Sequence, residues 1–271
     1  MNISVRDVTR DLIAEQDDLD QLVAKLSPGD FSLATPSPRW TIADQLGHLA
    51  YFDQTAALAI TDPDGFAAHR AELFATPAPA GADLDDATLG EYRSMSPTAL
   101  LEAWRSARAD LASAAATLGE RDRVEWYGPS MGAKSFLTAR LMEAWAHGQD
   151  IADTLGVRRT PSDRLLHIAQ LGFITQKWSF LVRGDDPLPV EVAVALDRPE
   201  GGAGEQWTFG PAGATDRVSG RAEDFCLVVT QRRNVADTDL DVVGEHAQRW
   251  MANAQAFAGG PTSGPQPTGT K

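Results

Sequence analysis

The chain of 271 residues holds five histidines: His48, His69, His147, His167 and His246. His147 stands in Arg-Leu-Met-Glu-Ala-Trp-Ala-His-Gly-Gln-Asp, with Glu143 four residues before it and Asp150 three after. Residues four apart are neighbours on one helix face, so the Glu143 carboxylate and the His147 imidazole can grip one cation together. Both must be deprotonated to do so. A third donor from a facing helix would complete a set of three protein ligands with one position open, the arrangement of catalytic rather than structural zinc. By spacing, two residues qualify: His48, in Asp-Gln-Leu-Gly-His-Leu-Ala-Tyr-Phe-Asp, and His167. Asp150 suits a supporting part, accepting the other ring N–H of His147. The plainer alternative is a satisfied core histidine beside a routine surface Glu–His pair. His69 and His246 read as surface residues, and Asp53 as a cap or surface charge.

These residues need helices to position them. Val8, Leu12, Leu19, Leu22, Val23 and Leu26 recur at helical spacing and predict a first helix over 5–26, stopped by Ser27-Pro28-Gly29. Thr41, with Asp44 three residues on, opens a second helix to about residue 60, close to a capping box. Pro63, Gly65, Pro77, Pro79 and Gly81 break up the next stretch of chain, leaving short helices near 65–74 and 85–93. Ser96-Pro97 opens a third long helix ending near Gly119. A loop over 120–134 precedes the fourth, over 135–155, and Thr160-Pro161-Ser162-Asp163 caps a fifth running to about Val182. In the fourth helix Arg140, Glu143, His147 and Asp150 form a polar row beside an apolar stripe of Leu137, Leu141, Ala144 and Ile151. After Gly184 the period changes. Val190, Val192, Val194 and Leu196 alternate with smaller or polar residues at strand spacing, and 206–209 and 216–219 read as further strands. Residues 224–231 suit helix or strand and are read as helix from their acidic start, and 244–258 as a final helix. The expected fold is therefore α with a smaller α+β part: an up-down helical bundle over 1–183, a small α+β domain over 184–258, and a disordered tail rich in Gly, Pro, Ser and Thr over 259–271.

Composition narrows the partners. The net charge of −14 supplies no basic footprint for nucleic acid. No apolar run approaches the ~18 residues of a membrane span. The first residues, Met-Asn-Ile-Ser-Val-Arg-Asp, lack the basic and apolar regions of a signal peptide, so a soluble cytoplasmic protein acting on a small molecule is expected. The single cysteine, Cys226, excludes an intramolecular disulfide and a cysteine-rich zinc site, and is read as a buried structural residue.

At its histidines the sequence resembles a known family. Trp40-Thr41-Ile42-Ala43-Asp44-Gln45-Leu46-Gly47-His48 is similar to the entry of the DinB-like bundle in its mycothiol-dependent maleylpyruvate isomerase branch, Trp, then Thr or Ser, an acidic residue three further on and His four after that. Glu143, His147 and Asp150 match that branch's Glu-x-x-x-His-x-x-Asp helix. The resemblance covers roughly residues 5–180. Trp126-Tyr127-Gly128-Pro129 with Met131 also looks like an actinobacterial-type subgroup of metal-binding proteins. The resemblance implies four core helices plus an extra one, and a divalent metal, usually zinc, on His48, Glu143 and His147. It implies a following domain similar to the sterol-carrier-like α+β fold. It also implies arginines that hold a carboxylate substrate, for which Arg221, Arg232 and Arg233 are candidates by location.

With such a site, the resemblance implies a metal-dependent enzyme that uses a small external thiol, such as mycothiol, in isomerisation or S-transfer on an electrophilic small molecule. Metal-bound water would instead make it a hydrolase or tailoring enzyme, and a third reading is a non-catalytic metal or small-ligand binding protein. Zinc leads, though two imidazoles and a carboxylate also suit nickel, iron and manganese. Tyr127, Ser130 and Lys134, in the loop before the fourth helix, are candidate substrate contacts. Trp40 and Trp145 are expected in the core.

Overall fold

The computed structural model describes residues 3–75 and 84–269. The break expected at Pro77, Pro79 and Gly81 lies outside them. The chain divides into two compact units, Met1–Arg158 and Arg159–Lys271.

The first unit is helical. Helix α1 (Val5–Val23) begins with a capping box in which Ser4 and Asp7 satisfy each other's backbone N–H groups. Helix α2 (Ile42–Thr61) starts the same way from Thr41 and Asp44, so a shorter Asp does what Glu usually does there. Helices α3 (Pro63–Ala75) and α4 (Leu84–Arg93) are the two short ones. Helix α5 (Pro97–Ala115) has Ser96 as N-cap with proline in its first turn. Helix α6 (Ala133–Leu155) ends at Gly156, whose φ of +64° is the left-handed conformation of a helix stop. The long helices α1, α2, α5 and α6 form the bundle, with α2 packed on both α5 and α6. Leu19, Val23, Ile42, Leu46, Leu49, Trp104 and Ile151 make its core. Gly47 lets α4 approach: a Cβ there would sit 2.9 Å from the Cβ of Tyr92. Between α5 and α6 a small antiparallel ribbon, β1 (Arg123–Val124) with β2 (Met131–Gly132), presents the loop 125–130.

The second unit contains α7 (Leu165–Ile174), α8 (Gln176–Leu181), β3 (Ala193–Asp197), β4 (Gln206–Phe209), β5 (Arg217–Arg221), α9 (Ala222–Val229), β6 (Asp241–Val243) and α10 (Glu245–Asn253). Its sheet runs β4-β3-β5-β6, with β3 and β5 parallel and the two outer pairs antiparallel. Val192, Val194 and Leu196 are buried as the alternation requires, whereas Val190 is exposed and precedes the strand.

The structure corrects several expectations. The fifth helix is broken at Thr175, whose hydroxyl bonds back to the Leu171 carbonyl and ends α7. Both pieces belong to the second unit, so the division falls at 158/159 rather than 183/184. Packing explains this: Gly172 on α7 lies against Val229 of α9, and the Cys226 thiol is 3.6 Å from the Leu165 carbonyl. The tail is not loose over its described part. Asn234 donates to the Pro265 carbonyl, and Asp237 accepts from the backbone N–H groups of Thr268 and Gly269. Polar side chains here satisfy a backbone that composition alone marks as disordered. Strand β6 is absent from the sequence reading, because three residues carry too little period to show.

Candidate metal centre

His48 lies on α2 and Glu143 and His147 lie on α6, facing one another across the bundle. Glu143 Oε2 is 3.0 Å from His147 Nε2 and 3.3 Å from His48 Nε2. One donor atom from each of the three residues lies within 4.8 Å of the other two. Two imidazole nitrogens and one carboxylate oxygen, converging from two rigid helices, are a donor set that zinc and its neighbours accept with a position to spare. The residues present therefore fit a divalent metal.

Aromatic rings close the sides of this cluster. Trp40 stacks on His147 at 5.6 Å between centroids with planes 15° apart, and its indole N–H donates to Asp85 of α4. Phe52, one turn after His48, has its ring centroid 4.5 Å from that imidazole. His48 and His147 themselves are 4.3 Å apart, centroid to centroid.

Comparison with known proteins identifies the family. Residues 12–152 match the family described as mycothiol maleylpyruvate isomerase N-terminal domain. The chain belongs to that family. It is 46% identical over 254 residues to an uncharacterized protein of Mycobacterium tuberculosis, found in two strains, with 94% of this chain and 96% of that protein covered. The crystal structure of the mycothiol-dependent maleylpyruvate isomerase, and that of a histidine-to-alanine mutant of it, superpose with a TM-score of 0.56 at 17% identity. Both cover 84% of this chain and 89% of theirs, which shows a shared fold.

In this family member, burial and then the neighbouring His147 push the His48 pKa down to about 4, so the ring is neutral at pH 7. Burial opposes ionisation of Glu143, yet hydrogen bonds to His147 and His48 outweigh it and hold the carboxyl well below its usual range. A neutral His48 beside an ionised Glu143 is the protonation state a metal requires of them.

The remaining candidates scatter. His147 Nδ1 faces the side-chain oxygen of Gln45 at 2.5 Å, where Asp150 was expected. Helical side chains lean towards the N-terminus, so the ring tilts towards Glu143 and away from Asp150. Asp150 accepts instead from Ser37 at 3.1 Å. Tyr127 packs edge-on against Phe52 and donates to the Tyr51 hydroxyl at 3.3 Å. Ser130 accepts from Arg123, and the Lys134 ammonium donates to the Ile3 carbonyl. His167 is buried in the second unit. There Arg221 pairs with Glu223, while Arg232 and Arg233 donate to nearby backbone carbonyls. Cys226 is fully buried and burial pushes its thiol pKa well up, which agrees with a structural part.

Three further residues differ from their sequence reading. His69 is no bare surface residue, since its Nε2 is 2.9 Å from the Tyr51 hydroxyl. Asp53 is buried and ion-paired with Arg140 at 3.2 Å, with Gln16 donating to its other oxygen. Trp40, expected in the core, is a wall of the candidate site. The signal for it was its place one residue before the capping Thr41.

Proposed function

We propose that this protein is a metal-dependent enzyme that uses a small thiol such as mycothiol in isomerisation or S-transfer on an electrophilic small molecule. The observation that carries the reading is the convergence of His48, Glu143 and His147 on one point inside a family whose name and solved relative involve mycothiol. His48, Glu143 and His147 would hold the ion, with zinc first among the candidates. When bound, such an ion lowers the pKa of a thiol or water at its open position and so provides a nucleophile at neutral pH.

The chain's own residues have separable tasks. Trp40 stacks on the His147 ring and Phe52 packs against His48, shielding part of each imidazole. Beyond Phe52, Tyr127 donates to Tyr51 and Tyr51 can donate to His69. Burial first, and then Tyr127, raise the Tyr51 pKa, so that phenol keeps its proton at neutral pH. The three form a hydrogen-bonded line on the far side of Phe52 from His48. Cys226 takes no part in this chemistry, so the thiol comes from outside.

Metal analysis of the purified protein tests the first step, with one equivalent of divalent ion expected. Mycothiol added to the cobalt-substituted protein should then produce a thiolate-to-cobalt band. Absence of stoichiometric metal would sink the enzyme reading. Metal without a thiolate band would favour water as the nucleophile and a hydrolase.

A further inference from the structure

The hydrogen bonds behind His147 form a directed chain. The loop before α2 folds back on itself, with an antiparallel bridge between Ala34 and Thr41, and places Thr35 beside the start of the helix. The Thr35 hydroxyl donates its only proton to the Trp40 carbonyl at 3.0 Å. It therefore meets Gln45 with a lone pair, and the Gln45 amide nitrogen donates to it at 2.9 Å. That fixes which end of the Gln45 amide points the other way: its oxygen faces His147 Nδ1. An amide oxygen can only accept, so Nδ1 must carry a proton. Gln45 is wholly buried, and water cannot substitute for it.

We infer that Thr35 and Gln45 are positioning residues that keep a proton on His147 Nδ1, so that Nε2, the nitrogen facing Glu143, is the one a cation takes. The inference rests on the metal reading above for its purpose, but the proton's location can be read without any metal. Neither residue touches the three donors' point of convergence; both act through the ring. The opposite wiring is chemically legal. With the amide reversed, Thr35 would donate to Gln45, Gln45 to Nδ1, and the ring proton would sit on Nε2 against Glu143, blocking the site.

Nitrogen-15 NMR of the ring in metal-free protein decides between them. Nδ1 is expected to carry hydrogen whether or not Nε2 also holds one against Glu143, and a bare Nδ1 overturns the assignment. Zinc titration supplies the second readout. Gln45→Leu should weaken zinc binding by roughly 10–100-fold, and Gln45→Glu, which keeps an acceptor, should restore most of it. Thr35→Val should show a smaller loss in the same direction, and it covers the case in which Gln45→Leu fails to fold. Equal affinity in Gln45→Leu and wild type, or equal loss in both Gln45 variants, overturns the proposal. Wild-type protein that binds no zinc yet carries the Nδ1 proton would refute the metal reading and leave this assignment standing.

Discussion

At the scale of single residues, the candidate centre and its neighbouring ion pair make opposite demands on charge. Glu143 is held ionised by its hydrogen bonds to two imidazoles, so it is suited to a metal's positive charge. Glu143→Gln keeps its shape and removes that charge. Zinc affinity is expected to fall by more than about 100-fold, beyond what losing an outer partner costs, as isothermal titration would show. Asp53 is already neutralised by Arg140 within the bundle. Arg140→Met leaves its carboxylate buried and unpaired, and denaturant unfolding should record a loss of about 3–5 kcal/mol. Replacing both partners with apolar residues should recover much of that loss, because the cost lies in the stranded charge rather than in the missing pair.

At the scale of elements, helix starts and one close approach place the site. Asp44 caps α2 and also takes Arg93 from α4 at 2.7 Å, so one carboxylate ties two helices together. Gly47→Ala would put a methyl group against Tyr92 and push α4 outward. A cost of about 1–3 kcal/mol is expected on thermal unfolding, the range for overpacking. The indole N–H resonance of Trp40 should shift with it, because Asp85 on α4 holds that indole. In the second unit Asp216 accepts from the backbone N–H groups of Ala247 and His246 at the start of α10. These bonds lower its pKa from the ordinary 3.8. A carboxyl with a depressed folded-state pKa stabilises the fold above its unfolded value and loses that contribution as pH falls through the folded one. Acid unfolding should therefore steepen below about pH 4 in wild type, and Asp216→Asn should be less stable at neutral pH with a flatter acid limb.

At the scale of the whole molecule, all three candidate ligands and their supports lie in the unit ending at Arg158. A chain cut after that residue should keep a helical circular dichroism spectrum and the zinc affinity of the full protein. An unfolded fragment would show that the second unit is needed for the first to stand. Zinc should also raise the melting temperature of the full chain, by the equivalent of about 2.7 kcal/mol at one hundred times its dissociation constant. Among the described residues no helix is long and apolar enough to cross a membrane.

Much of the first unit was legible because helix period, capping residues and ligand spacing are local properties. Thr41 with Asp44, Ser96 with Pro97, and Gly156 mark helix ends by backbone chemistry that needs no distant partner. Glu143 and His147 share a face for the same reason. What faces that pair is not local. By spacing His167 was as eligible as His48, and only the packing of α2 against α6 brings His48 to within 3.3 Å of Glu143. Nor could spacing show that Gln45 rather than Asp150 supports His147, since the choice turns on ring tilt and on a partner 102 residues away in sequence. The same holds for Asp53, which looks like a surface charge until Arg140 is folded against it, and for the end of the bundle, set by what α7 packs on. Chain-local physics determined the helices and named the donors, and tertiary packing decided which of them meet.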